Sequence, residues 1–302
     1  MTLRLSWHRG GAGEPLVLLH GIGSTHDDFA AVRPQLDAGY AVLAPDLPGH
    51  GGSPALRGRP TVAVIADVIE ADLDALGVGR VHLLGNSLGA RVALELASRG
   101  RARSVVAIAP SGLNLLPERI YQGALLSLAR LALQAAAPRF DGMARSVLGR
   151  TALFTGLRAA PWRAGEVEAR ALKAGFAEST DFWRLLWWAI LADVPTGMER
   201  IACPVVLAQG IADVIAAGQT PRYLWLIAGS RFVPLLGAGH APQSDVPGAI
   251  VQLVRRAAGL ATDPERSTCG QQPVPSNPRI QAQSTPTTMM TRAGSTMKTV
   301  RR

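Results

Sequence analysis

The stretch VHLLGNSLGA, residues 81–90, constrains this 302-residue chain more than any other. An apolar run stops at Gly85, one serine follows at Ser87, and a second glycine stands at Gly89. Because glycine lets two backbone segments come very close, the pattern predicts a strand that turns sharply into a helix with Ser87 at the apex. Such a turn exposes the Ser87 hydroxyl and directs the Leu88 N–H to the same side. An ordinary Gly/Ser turn between a strand and a helix is the alternative that this stretch leaves open.

Short apolar runs and amphipathic helical segments alternate on both sides of this stretch. The runs expected to form strands are residues 2–8, 16–19, 41–44, 81–84, 104–109, 204–208 and 231–236. Several of them are almost wholly apolar, as strands are when helices cover both faces of a parallel sheet. The sequence therefore predicts an α/β fold with a mostly parallel central sheet and helices on both of its faces.

The alternation is interrupted once and stops before the chain ends. Residues 113–198 have a helical pattern with no obvious strand, which predicts a helical insertion in the core. The core would then consist of a first part, residues 1–112, and a second part, residues 199–261. Residues 262–302 are rich in Pro, Ser, Thr, Gln and Arg without periodicity, and we expect them to form a disordered basic tail.

The charge and the cysteines exclude several classes of function. The formal net charge is +9, but the tail carries six basic and two acidic residues, which leaves +5 for the body. No basic run with interleaved aromatic residues occurs there, so no nucleic-acid partner is expected. Two cysteines fit a reducing, cytoplasmic location and provide no metal-ligand spacing, so no metal or cofactor is predicted. No apolar run is long enough for a transmembrane helix, and no stable membrane association is expected.

Three residues suited to nucleophilic catalysis follow three of the expected strands. Ser87 follows the run 81–84, Asp213 follows the run 204–208, and His240 follows the run 231–236. Reactive groups of open parallel sheets gather beyond the carboxyl ends of the strands. A serine hydroxyl needs a base to take its proton, histidine has a suitable pKa, and a buried carboxylate can orient the imidazole. These three residues are therefore the candidate catalytic group.

With these motifs in this order, the chain resembles the α/β-hydrolase fold superfamily, in its serine-nucleophile, esterase-like group. The resemblance covers about residues 2–260 and rests on segments 85–89, 20–23, 45–51 and 239–242 together with Asp213. It implies that segment 85–89 is the nucleophile elbow and segment 20–23 the oxyanion loop. It also implies that the backbone N–H groups of Ile22 and Leu88 bind an oxyanion, and that the insertion is a cap that roofs the substrate pocket.

Some residues have two interpretations in the sequence alone. Trp183 and Trp187 are candidate substrate-binding residues, but at their spacing they could equally form the core of the insertion. The leucine-rich segment 125–133 favours buried packing over a membrane-touching lid. His20 is expected to support the oxyanion loop, and Asp245 is expected to cap the last helix.

The sequence thus predicts a serine hydrolase that cleaves a carboxylic ester through an acyl-enzyme intermediate. Ser87 would be the nucleophile, His240 the base and Asp213 the orienting acid, acting on a small hydrophobic ester-like substrate. A carbon–carbon bond hydrolase, a lactonase or thioesterase, and a cofactor-free perhydrolase share these residues and remain alternatives. A non-catalytic ligand-binding relative is a further alternative, and the oligomeric state is left open.

Overall fold

The computed structural model describes residues 3–216 and 218–262, which belong to one compact unit. Seven strands form one sheet in this part of the chain. They are β1 (Trp7–Gly10), β2 (Glu14–Leu19), β3 (Tyr40–Pro45), β4 (Val81–Asn86), β5 (Ala102–Ile108), β6 (Val205–Gly210) and β7 (Arg231–Leu235). The strand order is β1-β3-β2-β4-β5-β6-β7, and every neighbouring pair is parallel except β1 with β3.

The apolar strands are buried on both faces, as predicted. In β2, Leu16 and Leu18 belong to one hydrophobic cluster, while Val17 and Leu19 belong to the other. Successive side chains of a strand point to opposite faces, so a continuous apolar run fits a sheet that helices cover on both sides. The predicted fold class is confirmed.

Strand β1 begins later than the sequence predicted. The expected strand covered residues 2–8, whereas the observed one starts at Trp7. Before that point the backbone N–H groups donate to side chains instead of a neighbouring strand: the Leu5 N–H donates to the Asp72 carboxylate at 2.9 Å and the Ser6 N–H donates to the Ser53 hydroxyl at 2.9 Å. The Ser6 carbonyl still accepts from the N–H of Asp46, the residue after β3, at 2.9 Å.

Helices pack against both faces of the sheet and fill the insertion. They are α1 (Arg33–Asp37), α2 (Val62–Ala75), α3 (Leu88–Ser98), α4 (Leu116–Ala135), α5 (Phe140–Arg145), α6 (Val147–Phe154), α7 (Glu166–Leu172), α8 (Phe182–Leu185), α9 (Gln219–Arg222) and α10 (Pro247–Thr262). Short 3₁₀ turns occur at His26–Phe29, Ala137–Arg139, Pro161–Arg163, Met198–Arg200 and Tyr223–Trp225. Two π-helical segments, Lys173–Ala177 and Leu186–Leu191, continue α7 and α8.

The helical insertion lies between β5 and β6. Helices α4 to α8 occupy it, and residues 113–198 contribute no strand to the sheet. The expected disordered tail starts at Thr262, where α10 ends, and the rest of it lies outside the described residues. Within the described residues, every helix is too short or too polar to cross a membrane.

Helix α3 approaches strand β2 very closely at Gly89. A Cβ atom at Gly89 would stand 2.0 Å from the Leu19 carbonyl oxygen, and one at Gly85 would stand 2.4 Å from the Gly89 carbonyl oxygen. Both obstacles are backbone atoms, which cannot move aside as a flexible side chain can. The two glycines of the opening motif are therefore required by packing.

We predict that Gly89→Ala lowers the free energy of unfolding by about 3 kcal/mol, because α3 must move off the sheet to relieve the overlap. Urea denaturation measures the change. Gly79→Ala is the matched control, since a Cβ at Gly79 meets no atom within 4 Å, and it should unfold as the wild type does. Equal stabilities of the two variants would contradict the packing argument.

Candidate active site

Ser87 stands at the apex of the turn between β4 and α3 in a strained backbone conformation. Its φ of 55° and ψ of −116° lie in a region that residues other than glycine rarely adopt. The surrounding bonds hold it there, because the Ser87 N–H donates to the Ile108 carbonyl at 2.8 Å and the Ser87 carbonyl accepts from the Arg91 N–H at 3.1 Å.

Asp213 and His240 lie in the loops that follow β6 and β7, and their side chains meet. His240 Nδ1 is 3.0 Å from Asp213 Oδ2. The other carboxylate oxygen accepts from the N–H groups of Ile215 at 2.8 Å and Ala216 at 3.0 Å. Burial raises the pKa of Asp213, but the charge and hydrogen bond of His240 and these two N–H groups outweigh it, so the pKa is lowered. Asp213 is therefore ionised at neutral pH and fixes the Nδ1–H tautomer of His240.

Asn86, the residue before Ser87, ties the turn to the histidine loop. Its Nδ2 donates to the His240 carbonyl at 2.9 Å. Gln243, three residues after His240, donates to the Asp28 carboxylate at 3.0 Å. No sequence pattern indicates this role for Asn86, because the partner is a backbone atom 154 residues away.

Two backbone N–H groups lie beside Ser87 without a protein acceptor among the described residues. Leu88 is the first residue of α3, where an N–H has no partner within its helix. Ile22 follows β2 in a loop that touches the serine, since a Cβ at Gly21 would stand 3.3 Å from Ser87 Cβ. These are the two donors that the family resemblance implied, and their role with an oxyanion remains a prediction.

Two buried histidines support this loop. The Leu47 N–H donates to His20 Nε2 at 2.8 Å, so Nδ1 carries the proton and donates to the Gly21 carbonyl at 2.8 Å. The Gly23 N–H likewise donates to His50 Nε2 at 3.1 Å. Burial lowers the pKa of His20 to about 3 and that of His50 to about 4, so both are neutral supports.

A cavity of about 150 Å³ adjoins Ser87, His240 and Ile22. Its remaining wall is mostly apolar and comes largely from the insertion. The contributing side chains are Leu125, Leu126, Ala129 and Leu133 of α4, Leu153 and Phe154 of α6, Leu172 of α7, and Phe176 and Ile190 of the π-helical segments. Ser87 and His240 therefore share a cavity that favours apolar ligands.

Trp183 and Trp187 do not line this cavity, contrary to expectation. Their side chains are 47% and 58% exposed. The chain around them passes into a π-helix, in which five residues rather than four separate bonded groups, so helical spacing no longer tells which face a residue occupies. Phe176 and Ile190 reach the cavity instead, and the leucine spacing of α4 was the sequence signal for its roof.

The leucine-rich segment of helix α4 is buried on one side and exposed on the other. Leu126 is buried and lines the cavity, whereas Leu128 and Leu131 on the other side of the helix are 65% and 52% exposed.

A buried polar cluster forms one part of the cavity wall and was not anticipated from the sequence. Asp28 and Glu168 both line the cavity, and Arg158 pairs with them at 2.9 Å and 2.8 Å. Burial raises the pKa of Asp28 to about 6, although the Arg158 charge opposes this. No lysine or arginine is among the described residues that line the cavity, whereas the carboxyl groups of Asp28 and Glu168 are.

The neutral histidines make the stability of the fold sensitive to acid. His50 has an ordinary pKa of 6.5 when unfolded and about 4 when folded, so between these values only the unfolded chain binds the proton. Stability is therefore lost as the pH falls, by about 1 kcal/mol per pH unit for each such histidine. We predict that His50→Gln, measured by urea unfolding from about pH 7 to about pH 4, shows a shallower loss than the wild type.

His26→Gln is the control, for which we expect the opposite change in the pH dependence of stability. The hydrogen bond that His26 Nδ1 donates to the Asp46 carboxylate raises the pKa of His26 despite burial, so protonated His26 stabilises the fold below its ordinary pKa. That contribution is lost as the pH rises through the folded pKa. Removing His26 should therefore steepen the acid loss, and a shallower slope in both variants would contradict the assignment.

Comparison with known proteins identifies the family of the chain. Residues 16–253 match the model of the Alpha/beta hydrolase family. The chain is 32% identical over 205 residues to epoxide hydrolase EphH of Mycobacterium tuberculosis, covering 64% of this chain and 92% of that enzyme. A segment of 120 residues is 33% identical to 2-hydroxy-6-oxo-6-phenylhexa-2,4-dienoate hydrolase of Burkholderia cepacia, covering 37% of this chain and 42% of that enzyme.

Solved structures give the same result. A hydrolase from Pseudomonas aeruginosa PA01 superposes with a TM-score of 0.66 at 27% identity, covering 84% of this chain and 94% of that one. The family model spans well over half of the chain, and its match includes Ser87, Asp213 and His240. The chain therefore belongs to the alpha/beta hydrolase family.

Proposed function

We propose that this hydrolase cleaves carboxylic esters with small, uncharged, apolar acyl groups through an acyl-enzyme intermediate. One observation carries the proposal: Ser87, at a strained apex, shares an apolar cavity with His240, whose Nδ1 is 3.0 Å from the ionised Asp213. A hydroxyl, a base with a fixed tautomer and two free N–H donors are the groups that acyl transfer requires.

In the first half of the reaction, Ser87 Oγ attacks the ester carbonyl and passes its proton to His240 Nε2. The carbonyl oxygen becomes negative and accepts hydrogen bonds from the N–H groups of Ile22 and Leu88, each worth about 3 kcal/mol of barrier. When the intermediate collapses, the carbon–oxygen bond to the alcohol breaks, and His240 gives its proton to the departing oxygen.

In the second half, a water molecule attacks the acyl-Ser87 carbonyl and passes a proton to His240. The same two N–H groups hold the new oxyanion. Collapse releases the carboxylic acid, and His240 returns the proton to Ser87. Asp213 stays ionised throughout and stabilises the imidazolium that forms twice in the cycle.

The chemistry of serine argues against the epoxide opening performed by the relative from M. tuberculosis. Attack of Ser87 on an epoxide carbon would leave a Ser–O–C ether. An ether has no carbonyl oxygen for the Ile22 and Leu88 N–H groups to stabilise, so water could not release it by this route. An acyl ester on Ser87 has that oxygen and turns over.

The charge of the cavity argues against a substrate like that of the relative from B. cepacia, whose name specifies a dienoate and therefore a carboxylate. The charged side chains that line the described cavity are Asp28 and Glu168, and the Arg158 guanidinium that pairs with both is fully buried. An anionic acyl group would meet two carboxyls and no free cation. Uncharged acyl groups fit the remaining apolar wall.

The helical insertion acts in this proposal as a cap that encloses the acyl group. Its leucines and Phe176 supply most of the apolar wall. The proposal needs no metal or cofactor and no macromolecular partner. It places the enzyme in the cytoplasm, in keeping with the low cysteine content and with Cys203, whose pKa burial raises to about 11.

We predict that a fluorophosphonate probe labels the wild type and that Ser87→Ala abolishes labelling and lowers kcat for nitrophenyl butyrate by about 10⁶-fold. Ser98→Ala, a buried serine at the far end of α3, is the matched control and should behave as the wild type. A folded wild type that is neither labelled nor active on nitrophenyl esters, lactones or thioesters would refute the proposal.

We predict that Ala129→Leu shortens the preferred acyl chain, because Ala129 lines the cavity and a larger side chain there removes space. The ratio kcat/KM for nitrophenyl octanoate should fall by about tenfold or more while that for the acetate changes little. Ala132→Leu adds the same volume on the exposed side of α4 and should leave the chain-length profile unaltered. Identical profiles for both variants would mean that the acyl group lies elsewhere.

A further inference from the structure

The insertion is bound to the loop that carries His240. Residues 157–160, here called the strap, connect α6 to the next turn of the insertion, and residues 239–245, here called the histidine loop, follow β7. The Ala241 N–H donates to the Leu157 carbonyl at 3.1 Å. The two segments also touch through backbone atoms, since a Cβ at Gly239 would stand 2.7 Å from the Leu157 carbonyl oxygen and 2.8 Å from Arg158 Cα.

Asp245 is the centre of this contact. Its side chain accepts hydrogen bonds from three backbone N–H groups, those of Ala159, Ala160 and Gly239, each at 2.9 Å. Asp245 is 1% exposed, so these bonds compensate its charge in place of water. The sequence suggested that Asp245 caps the last helix, but its carboxylate instead joins the strap to the residue before His240.

A second set of bonds fastens the same strap. The Arg158 guanidinium donates to Asp28 at 2.9 Å and to the Ser244 hydroxyl. Asp28 lies in the short turn after the oxyanion loop, and Ser244 lies in the histidine loop. The strap is therefore bound to both loops that meet at Ser87.

From this geometry we propose that Asp245 is a positioning residue. It fixes the position of the His240 imidazole by binding the strap to the residues on both sides of His240. Asn86 holds the His240 carbonyl, Asp245 holds the Gly239 N–H, and the strap holds the Ala241 N–H, so the backbone of the base is fixed at three points. The insertion then contributes to catalysis besides enclosing the substrate. This inference rests on the proposed serine-hydrolase function.

The size of the effect follows from the demands of proton transfer. His240 must reach Ser87 with one nitrogen while the other stays 3.0 Å from Asp213. A displacement of about 1 Å in such a group lowers the rate by about 10²-fold. Binding of the acyl group depends on other residues and should change little.

Asp245→Asn tests the proposal. The amide has the shape of the carboxylate but presents NH₂ to one of its three N–H partners, which pushes the strap away. We expect kcat for nitrophenyl butyrate and the rate constant of fluorophosphonate labelling both to fall by about 10²-fold, with KM changed by less than about threefold.

Asp72→Asn is the matched control for loss of a buried carboxylate. Asp72 accepts hydrogen bonds from the Leu5 N–H and the Trp7 indole, away from the site. It should lower the melting temperature by an amount comparable to Asp245→Asn while kcat and the labelling rate stay at the wild-type level. A purely structural role for Asp245 would make the two variants alike.

Gly239→Ala tests the same contact without changing a hydrogen-bonding group, since the new Cβ would displace the strap backbone. Its control is Gly248→Ala, where a Cβ meets no atom within 4 Å. We expect kcat and the labelling rate to fall in Gly239→Ala and to stay at the wild-type level in Gly248→Ala. This pair of variants tests whether the strap contact positions His240 even if Asp245→Asn does not fold. An active wild type with unimpaired Asp245→Asn or Gly239→Ala would overturn the inference, whereas an unlabelled, inactive wild type would instead refute the proposed function.

Discussion

The close contact of helix α3 with strand β2 at Gly89 determines where Ser87 and the backbone N–H groups beside it lie. Only a hydrogen fits between the helix and the Leu19 carbonyl, so α3 starts directly above the end of the sheet. Ser87 must therefore take the strained conformation that joins β4 to α3. The first N–H of α3 and the loop after β2 then lie beside its hydroxyl, where an oxyanion would form. The strain at Ser87 is offset by packing along the whole of α3, which is buried throughout.

Much of this arrangement could be predicted because its signals are local. A strand buried on both faces is an apolar run, and a close backbone approach requires glycine, so the sheet and the turn at Ser87 were visible in the sequence. The positions of Asp213 and His240 after strand ends also predicted that they lie close together, since the carboxyl ends of parallel strands share one edge of the sheet. The turn pattern also indicated the direction of the Leu88 N–H, whereas the Ile22 N–H was implied by the family resemblance alone.

The remainder depends on contacts between distant segments. The size and spacing of Trp183 and Trp187 predict substrate-binding residues. The π-helical segment changes which face of the helix a residue occupies, however, and both side chains are exposed to solvent. Asp28 and Arg158 are 130 residues apart, and no sequence pattern near either residue predicts their ion pair. A carboxylate just before a helix is usually a cap, and the sequence predicts that role for Asp245. Two of the three N–H groups that it binds instead lie about 85 residues earlier, in the strap.

The strap makes the two halves of this enzyme interdependent. In a family whose cores resemble one another, exchanging insertions between relatives is a direct way to change substrate specificity. Here the incoming segment would need to match the carboxylate of Asp245 with two backbone N–H groups and leave room only for a hydrogen at Gly239. A chimera that did not meet these requirements would have a new insertion over the cavity, but its His240 would be displaced. Changes of specificity are therefore more accessible through single side chains of α4 than through replacement of the whole insertion.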